Sequence, residues 1–297
     1  MYESGLTAPA ACGMIPTVAE PNPPDNRTRS FSNPPVVETV LGLQFEPISG
    51  FTNAHLGLFW GKLGGRLKWP FASDEGALGQ EFERFGEDLD WTPINSARFR
   101  IGHAAATRAR LWNEDKSRLL QFQNGRLIYN WLGKGNDYPR YEKIKLEFDG
   151  IIERFMEFLA QESLPAVSPN QWEITYVNHL PKETVWHNVT DWSRVFSFDA
   201  VPPASVGACR LEHFGGQWSY EIEPHRGRLH VQLQNGKDSN TSDVLVLNLS
   251  ARGPIGEGSG AVENLSRGLD LGHEVIINAF NQLTSKHAQA HWETERH

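Results

Sequence analysis

Between Val36 and Glu46 the chain alternates. Val37, Thr39, Leu41, Leu43 and Phe45 fall on one side, and Glu38, Gln44 and Glu46 on the other, which predicts a strand closed by Pro47 and Gly50. The period then lengthens. Leu56, Phe59, Trp60 and Leu63 form one helical face, Thr52 or Asn53 can cap it, and Gly64-Gly65 ends it. In the connection 64–96, the acidic stretch Asp74 to Asp90 predicts a short helix carrying Phe82 and Phe85. Three strands follow, at 98–112, 118–123 and 126–132. The last two are joined by Asn124-Gly125, a pair that accepts the positive φ of a tight hairpin. Pro139, suited to a first helical position, opens a long helix with the stripe Tyr141, Ile144, Phe148, Ile151, Phe155, Phe158 and Leu159, and Pro165 lies beyond its end.

The order then recurs. A strand is expected at Gln171 to Leu180, closed by Pro181, and a short helix at Thr190 to Phe196. Strands follow at Arg210 to Glu223, Arg228 to Gln234 (ending at Asn235-Gly236) and Asp243 to Ala251, then a final helix from Val262 to about Trp292. Leu120-Gln121-Phe122-Gln123-Asn124-Gly125-Arg126 aligns with Val231-Gln232-Leu233-Gln234-Asn235-Gly236-Lys237, apolar-Gln-apolar-Gln-Asn-Gly-basic in both. The expected fold class is α+β, with two tandem βαβββα units at 33–165 and 166–297. Their mostly antiparallel strands fuse into one body, because a lone unit would leave sheet edges bare, and the two long amphipathic helices pack on one face. Residues 1–32, with Pro21, Pro23 and Pro24, read as a disordered or loosely attached arm.

Composition narrows the picture. The 297 residues are 39% hydrophobic, with ten Trp and sixteen Phe, enough for a sizeable core. A net charge of -8 argues against a nucleic-acid surface. Two cysteines, Cys12 and Cys209, give no disulfide framework, and no signal-peptide pattern or membrane-length apolar run occurs; a cytoplasmic setting is the expectation.

Several blocks together resemble an uncharacterised, sporadically distributed bacterial protein family to which no activity is assigned. They are Asn33-Pro34-Pro35-Val36-Val37-Glu38 with Leu43-Gln44-Phe45-Glu46-Pro47; Arg118 to Arg126 followed by Asn130-Trp131 and Tyr138-Pro139-Arg140-Tyr141; and Leu269-Asp270-Leu271-Gly272-His273-Glu274. The resemblance runs from about Asn33 to Trp292 and implies no reaction, cofactor or ligand. A sporadic distribution would suit an accessory role, such as stress or phage defence, by analogy only.

Candidate chemistry is sparse. Asp270 and His273 share a helix face and could form an acid–base pair, although His273 also lies on the buried stripe. Arg98, Arg100, Arg108 and Arg110 recur at even positions on one strand beside Gln121, a stripe that could bind an anion or an acidic protein or be a solvated face. Trp131, Tyr138 and Arg140 cluster where the long helix starts, and Asn178 and His179 end a strand. Glu221 would sit opposite His230 near Glu223 and His225, a weak metal candidate. Gly253, Gly256, Gly258 and Gly260 match no phosphate-loop spacing, and no Lys follows. The expectations are therefore a non-catalytic interaction protein with a protein or anionic partner and no cofactor; alternatively, an enzyme or small-ligand binder with a pocket at His273 and Asp270; and last, nucleic-acid binding on the sheet face.

Overall fold

Wherever apolar side chains alternate over six or more residues the chain is extended, and the pairing of those strands organises everything else. The computed structural model describes residues 31–86, 107–133, 138–198, 203–256 and 260–293. Its elements are β1 (Val36–Phe45), α1 (Asn53–Lys62), α2 (Gly65–Lys68), β2 (Phe71–Gly76), β3 (Thr107–Trp112), β4 (Arg118–Gln123), β5 (Arg126–Leu132) and α3 (Tyr141–Gln161). After these come β6 (Pro169–Pro181), α4 (Trp192–Val195), β7 (Ser205–Val206), β8 (Cys209–Arg210), β9 (Gly216–Ile222), β10 (Gly227–Lys237), β11 (Asp243–Pro254), α5 (Ala261–Leu283) and α6 (Lys286–Glu293).

Nine strands form one antiparallel sheet in the order β2-β3-β4-β5-β1-β6-β11-β10-β9, and β7 and β8 form a separate pair. The protein is α+β. The middle of the sheet is the β1–β6 pair, with Leu41 opposite Ile174 and Leu43 opposite Trp172. Moving outward from it, β1 is followed by β5, β4 and β3, and β6 by β11, β10 and β9.

One face of the sheet is apolar. Leu41, Leu43, Phe45, Leu120, Phe122 and Leu127 share one buried core with Ile144, Phe148, Phe155 and Leu159 of α3. Each such side chain contributes about 1.5–3 kcal/mol by leaving water. Phe59 of α1 meets Phe122 and Phe155 edge-on, at 5.2 and 5.0 Å between centroids. A bidentate pair fixes α3 to the sheet: Arg118 Nε and Nη2 donate to Glu147 at 2.6 and 3.0 Å, and Tyr129 Oη donates to the same carboxylate at 2.7 Å. Helix α5 approaches β6 differently. A Cβ at Gly268 would lie 2.3 Å from Trp172, and one at Gly272 2.5 Å from Ile174, so only glycine admits this contact.

The structure departs from the sequence expectations in several places. Asp74 to Gly76 belong to edge strand β2, and 77–86 hold no helix. Helix α3 starts at Tyr141, with Arg140 rather than Pro139 at its threshold. The strand expected at Arg210 to Glu223 is broken into β8 and β9. Strand β10 runs through Asn235-Gly236, which pair with Leu245 and Val244, so no turn forms there. Gly253 likewise lies inside β11, opposite Trp172. The last helix breaks at Thr284, whose backbone is extended, and Ser285 Oγ then accepts the Ala288 N–H to restart it as α6. Phe31, assigned to the arm from sequence, is buried against Phe280 and Trp292. Residues 1–30 lie outside the described residues.

Candidate functional site

Three elements meet beside the centre of the sheet: the start of α3, the middle of α5, and the inner face of β6. Amphipathic periodicity brings them together, because Tyr141 opens the α3 stripe, while His273 lies between Leu269 and Ile276 on that of α5. Alternation along β6 turns Trp172, Ile174, Tyr176 and Asn178 to the helix side.

The threshold of α3 is strained. Arg140 has φ 70° and ψ 157°, a conformation nearly confined to glycine that costs about 1–3 kcal/mol in other residues. Its guanidinium donates to the Phe31 carbonyl at 3.0 Å and lies over the Tyr138 ring. Tyr138 in turn meets Trp131 edge-on at 5.2 Å.

The side chains form a chain of hydrogen bonds. Tyr138 Oη donates to Tyr176 Oη at 3.2 Å, and Tyr176 Oη lies 2.8 Å from His273 Nδ1. When Tyr138 donates to Tyr176 and Tyr176 in turn donates to Nδ1, the neutral imidazole carries its proton on Nε2. Among the described residues Nε2 makes no hydrogen bond. Burial pushes the His273 pKa below its ordinary value, against the pull of Glu142 and Asp270. Burial raises Tyr138, and it raises Tyr176 far above its ordinary value. At neutral pH this is an array of uncharged donors and acceptors.

Asp270 does not orient His273. Tyr141 stacks on the imidazole at 4.0 Å and 7°, and its hydroxyl donates to Asp270 Oδ1 at 2.8 Å. Lys145 Nζ pairs with the same carboxylate at 3.3 Å. Three-residue spacing puts Asp270 and His273 on one helix face, but facing residues of α3 take up the carboxylate.

Behind this array is a cavity of about 230 Å³, lined by Tyr138, Arg140, Tyr141, Glu142, Tyr176 and His273 on the polar side. Pro34, Pro35, Leu249, Ile276, Ile277 and Phe280 supply the apolar side, and Phe31 closes the wall. Asn178 also lines it, its amide held by the Leu247 carbonyl at 3.1 Å.

No model of a known protein family matches the sequence, and no curated protein is significantly similar to it.

The remaining candidates lie elsewhere. Arg98, Arg100 and Gly258 fall outside the described residues. Arg108 and Arg110 are on the opposite, outer face of the sheet, where Arg110 pairs with Gln121 in register. Both arginines are ion-paired with Glu75 of β2, the first at 2.5 Å. Gln121 donates to Asn130, which donates to Glu38, whose pKa is raised by burial. Within the described residues the two arginines thus share one carboxylate and join a polar network on the sheet face.

Glu221 lies opposite Arg228, not His230, because β10 already begins at Gly227; His230 faces Ser219. The Glu221 carboxylate accepts from His225 instead. Among the described residues no group of three or more His, Cys, Asp or Glu is placed to hold a metal ion. Gly260 caps α5 with a left-handed backbone. Among the described residues no helix is long and apolar enough to cross a membrane.

Sequence reasoning missed Glu83. Its carboxylate accepts from Arg228 Nη1 at 2.5 Å, His230 Nε2 at 2.8 Å and Arg252 Nε at 2.8 Å. Burial works to raise its pKa, but His230 and Arg252 outweigh it and hold it down at about 2. In the sequence Glu83 is only one member of an acidic stretch expected to be helical, and nothing local sets it apart from its neighbours.

Proposed function

We propose that this protein binds a small, mainly apolar molecule bearing a hydrogen-bond acceptor, in the cavity between α3, α5 and β6. The observation that carries the reading is the Tyr138–Tyr176–His273 chain, which leaves the imidazole Nε2 without a partner among the described residues, on the polar wall of a cavity whose other side is apolar. The strained Arg140 on the same wall supports it, since such strain gathers at ligand sites. So does the meeting of the sequence blocks behind the family resemblance: Pro34, Pro35 and Val36 come from the first, Tyr138, Arg140 and Tyr141 from the second, and His273 from the third. The cavity is smaller than the roughly 300 Å³ at which drug-sized pockets begin, so the ligand is small. Binding is favoured over catalysis because, among the described residues, the hydroxyl beside His273 is that of Tyr176, which burial keeps protonated. The likeness of the two halves in strand order supports their origin by duplication, with this cavity in the seam between them.

The test is a thermal-shift screen of small metabolites against the wild-type chain and Ile277→Trp, which fills the cavity. A ligand for this site raises the wild-type melting temperature and leaves the variant unmoved. A screen with no hits, or hits that stabilise both proteins equally, would sink the reading.

A further inference from the structure

The outer face of the sheet, opposite the cavity, holds an extended segment of the chain through side chains of the sheet. Residues 77–86 cross it over β4, β1, β11 and β10. Two glutamine side chains read their backbone as a neighbouring strand would. Gln123 accepts the Leu78 N–H at 2.8 Å and donates to the Leu78 carbonyl at 2.9 Å. Gln44 does the same for Glu81, at 2.8 and 2.9 Å. Side chains are read as well: Gln80 donates to the Phe45 carbonyl at 2.7 Å, Arg252 pairs with Glu81, and Arg228 lies over the Phe85 ring. The Glu83 side chain is only 3% exposed, enclosed by Arg228, His230 and Arg252. Yet none of residues 77–86 belongs to the hydrophobic core, and Leu78 and Phe82 are exposed. Polar contacts and the packing of the Phe85 ring on Arg228 and His225 hold the segment without a core side chain, the type of attachment that opens locally.

We propose that this face is a receptor for extended acidic peptide segments of other proteins, and that residues 77–86 are its built-in occupant, displaced when a partner binds. The paired amides of Gln44 and Gln123 recognise any extended backbone, which is the logic of strand addition to a sheet. Specificity comes from the basic pocket, which takes a glutamate, and from Arg252, which takes a second acidic residue two positions before it. This goes beyond the cavity reading and does not depend on it.

The experiment uses the full chain with residues 77–86 replaced by a Gly/Ser linker of equal length, and a fluorescein-labelled peptide of sequence 77–86 as probe. Fluorescence polarisation is expected to show saturable binding to the linker variant and at least tenfold weaker binding to the wild-type chain, whose face is occupied. Glu83→Gln in the peptide, or Arg252→Ala added to the linker variant, is expected to weaken binding at least tenfold. If the linker variant does not melt cooperatively, Glu83→Ala in the full chain replaces it, and peptide binding above wild type is expected. No saturable binding to a cooperatively folded variant overturns the proposal. So does binding indifferent to Glu83→Gln in the peptide, or a linker variant that dimerises and ignores the peptide, which would make a second copy the occupant.

Discussion

Leu120–Arg126 and Val231–Lys237 carry one residue pattern and occupy matching strands, each third from the middle of the sheet on its own side. Only the first makes a turn at its Asn-Gly. There Gly125 has φ 97°, and Asn124 clamps Ile48, accepting its N–H at 2.7 Å and donating to its carbonyl at 3.1 Å. In the second, Asn235 and Gly236 remain in the ladder, and the turn forms further on, where Asp238 Oδ1 accepts the N–H groups of Asn240 and Ser242 at 2.8 Å each. The flanking residues differ too. Gln123 holds the crossing segment, while Gln234 accepts only from Gln232 at 3.4 Å. Arg126 is buried beside Gln44 and Glu173, while the Lys237 side chain is 62% exposed. Asn-Gly permits a tight turn, but what the side chains find across the molecule decides whether one forms.

The largest expected effect separates the two ends of the crossing segment. At the β4 end it is held by neutral amides, and at the β10 end by the ionised Glu83. The Glu83 pKa is depressed to about 2 from an ordinary 4.5. Its stabilisation is therefore complete above pH 4.5 and is lost as pH falls towards 2, a change on the order of 3 kcal/mol. Protection of the Arg252 Nε proton from exchange should fall across that window, while the Leu78 and Glu81 amides stay protected. Simultaneous loss at both ends would show the segment to be a single cooperative unit.

A smaller contrast comes from the last residue of each heptapeptide. Arg126→Ala removes one of the two donors to Gln44 Oε1 and the cation paired with Glu173, and should cost about 2 kcal/mol in urea unfolding. Lys237→Ala removes one exposed ion pair and should stay within about 0.5 kcal/mol. Equal costs would break the comparison.

How much of this was legible follows from where the determining contacts lie. The α3 stripe was readable because Ile144, Phe148, Phe155 and Phe158 each bury one face of a regular helix, and the sequence period records that directly. Strand β2 was not, because Phe71 to Gly76 are all exposed and the strand exists through pairing with β3. His273 and Tyr138 were named from local pattern, but the residue linking them, Tyr176, comes from β6, and its role depends on three elements converging. Glu83 could not be found locally, since its partners Arg228, His230 and Arg252 are more than a hundred residues away in the chain.

The asparagines give the next contrast. Asn124→Ala loses both bonds to Ile48 and should cost about 1.5 kcal/mol. Asn235→Ala loses one acceptor for the Phe214 N–H, at 3.3 Å, and should cost less than about 1 kcal/mol. Chemical denaturation of the two variants measures both, and a reversed order would mean that the Asn124 clamp does not hold the first turn in place.

The smallest effect tests the turn itself. Gly125→Ala puts a Cβ on a backbone at φ 97°, 3.2 Å from the Gln80 amide that binds the Phe45 carbonyl. A cost of about 1 kcal/mol is expected, with faster exchange of the crossing segment because Gln80 must give way. Gly236→Ala meets Val246 Cγ2 at 3.0 Å, but its backbone is not left-handed, and the gain in rigidity of the unfolded chain offsets that contact. A change within about 0.5 kcal/mol is expected there. If both substitutions cost the same, the two Asn-Gly pairs would be energetically alike, and the difference between the hairpins would rest entirely on Asn124 and Asp238.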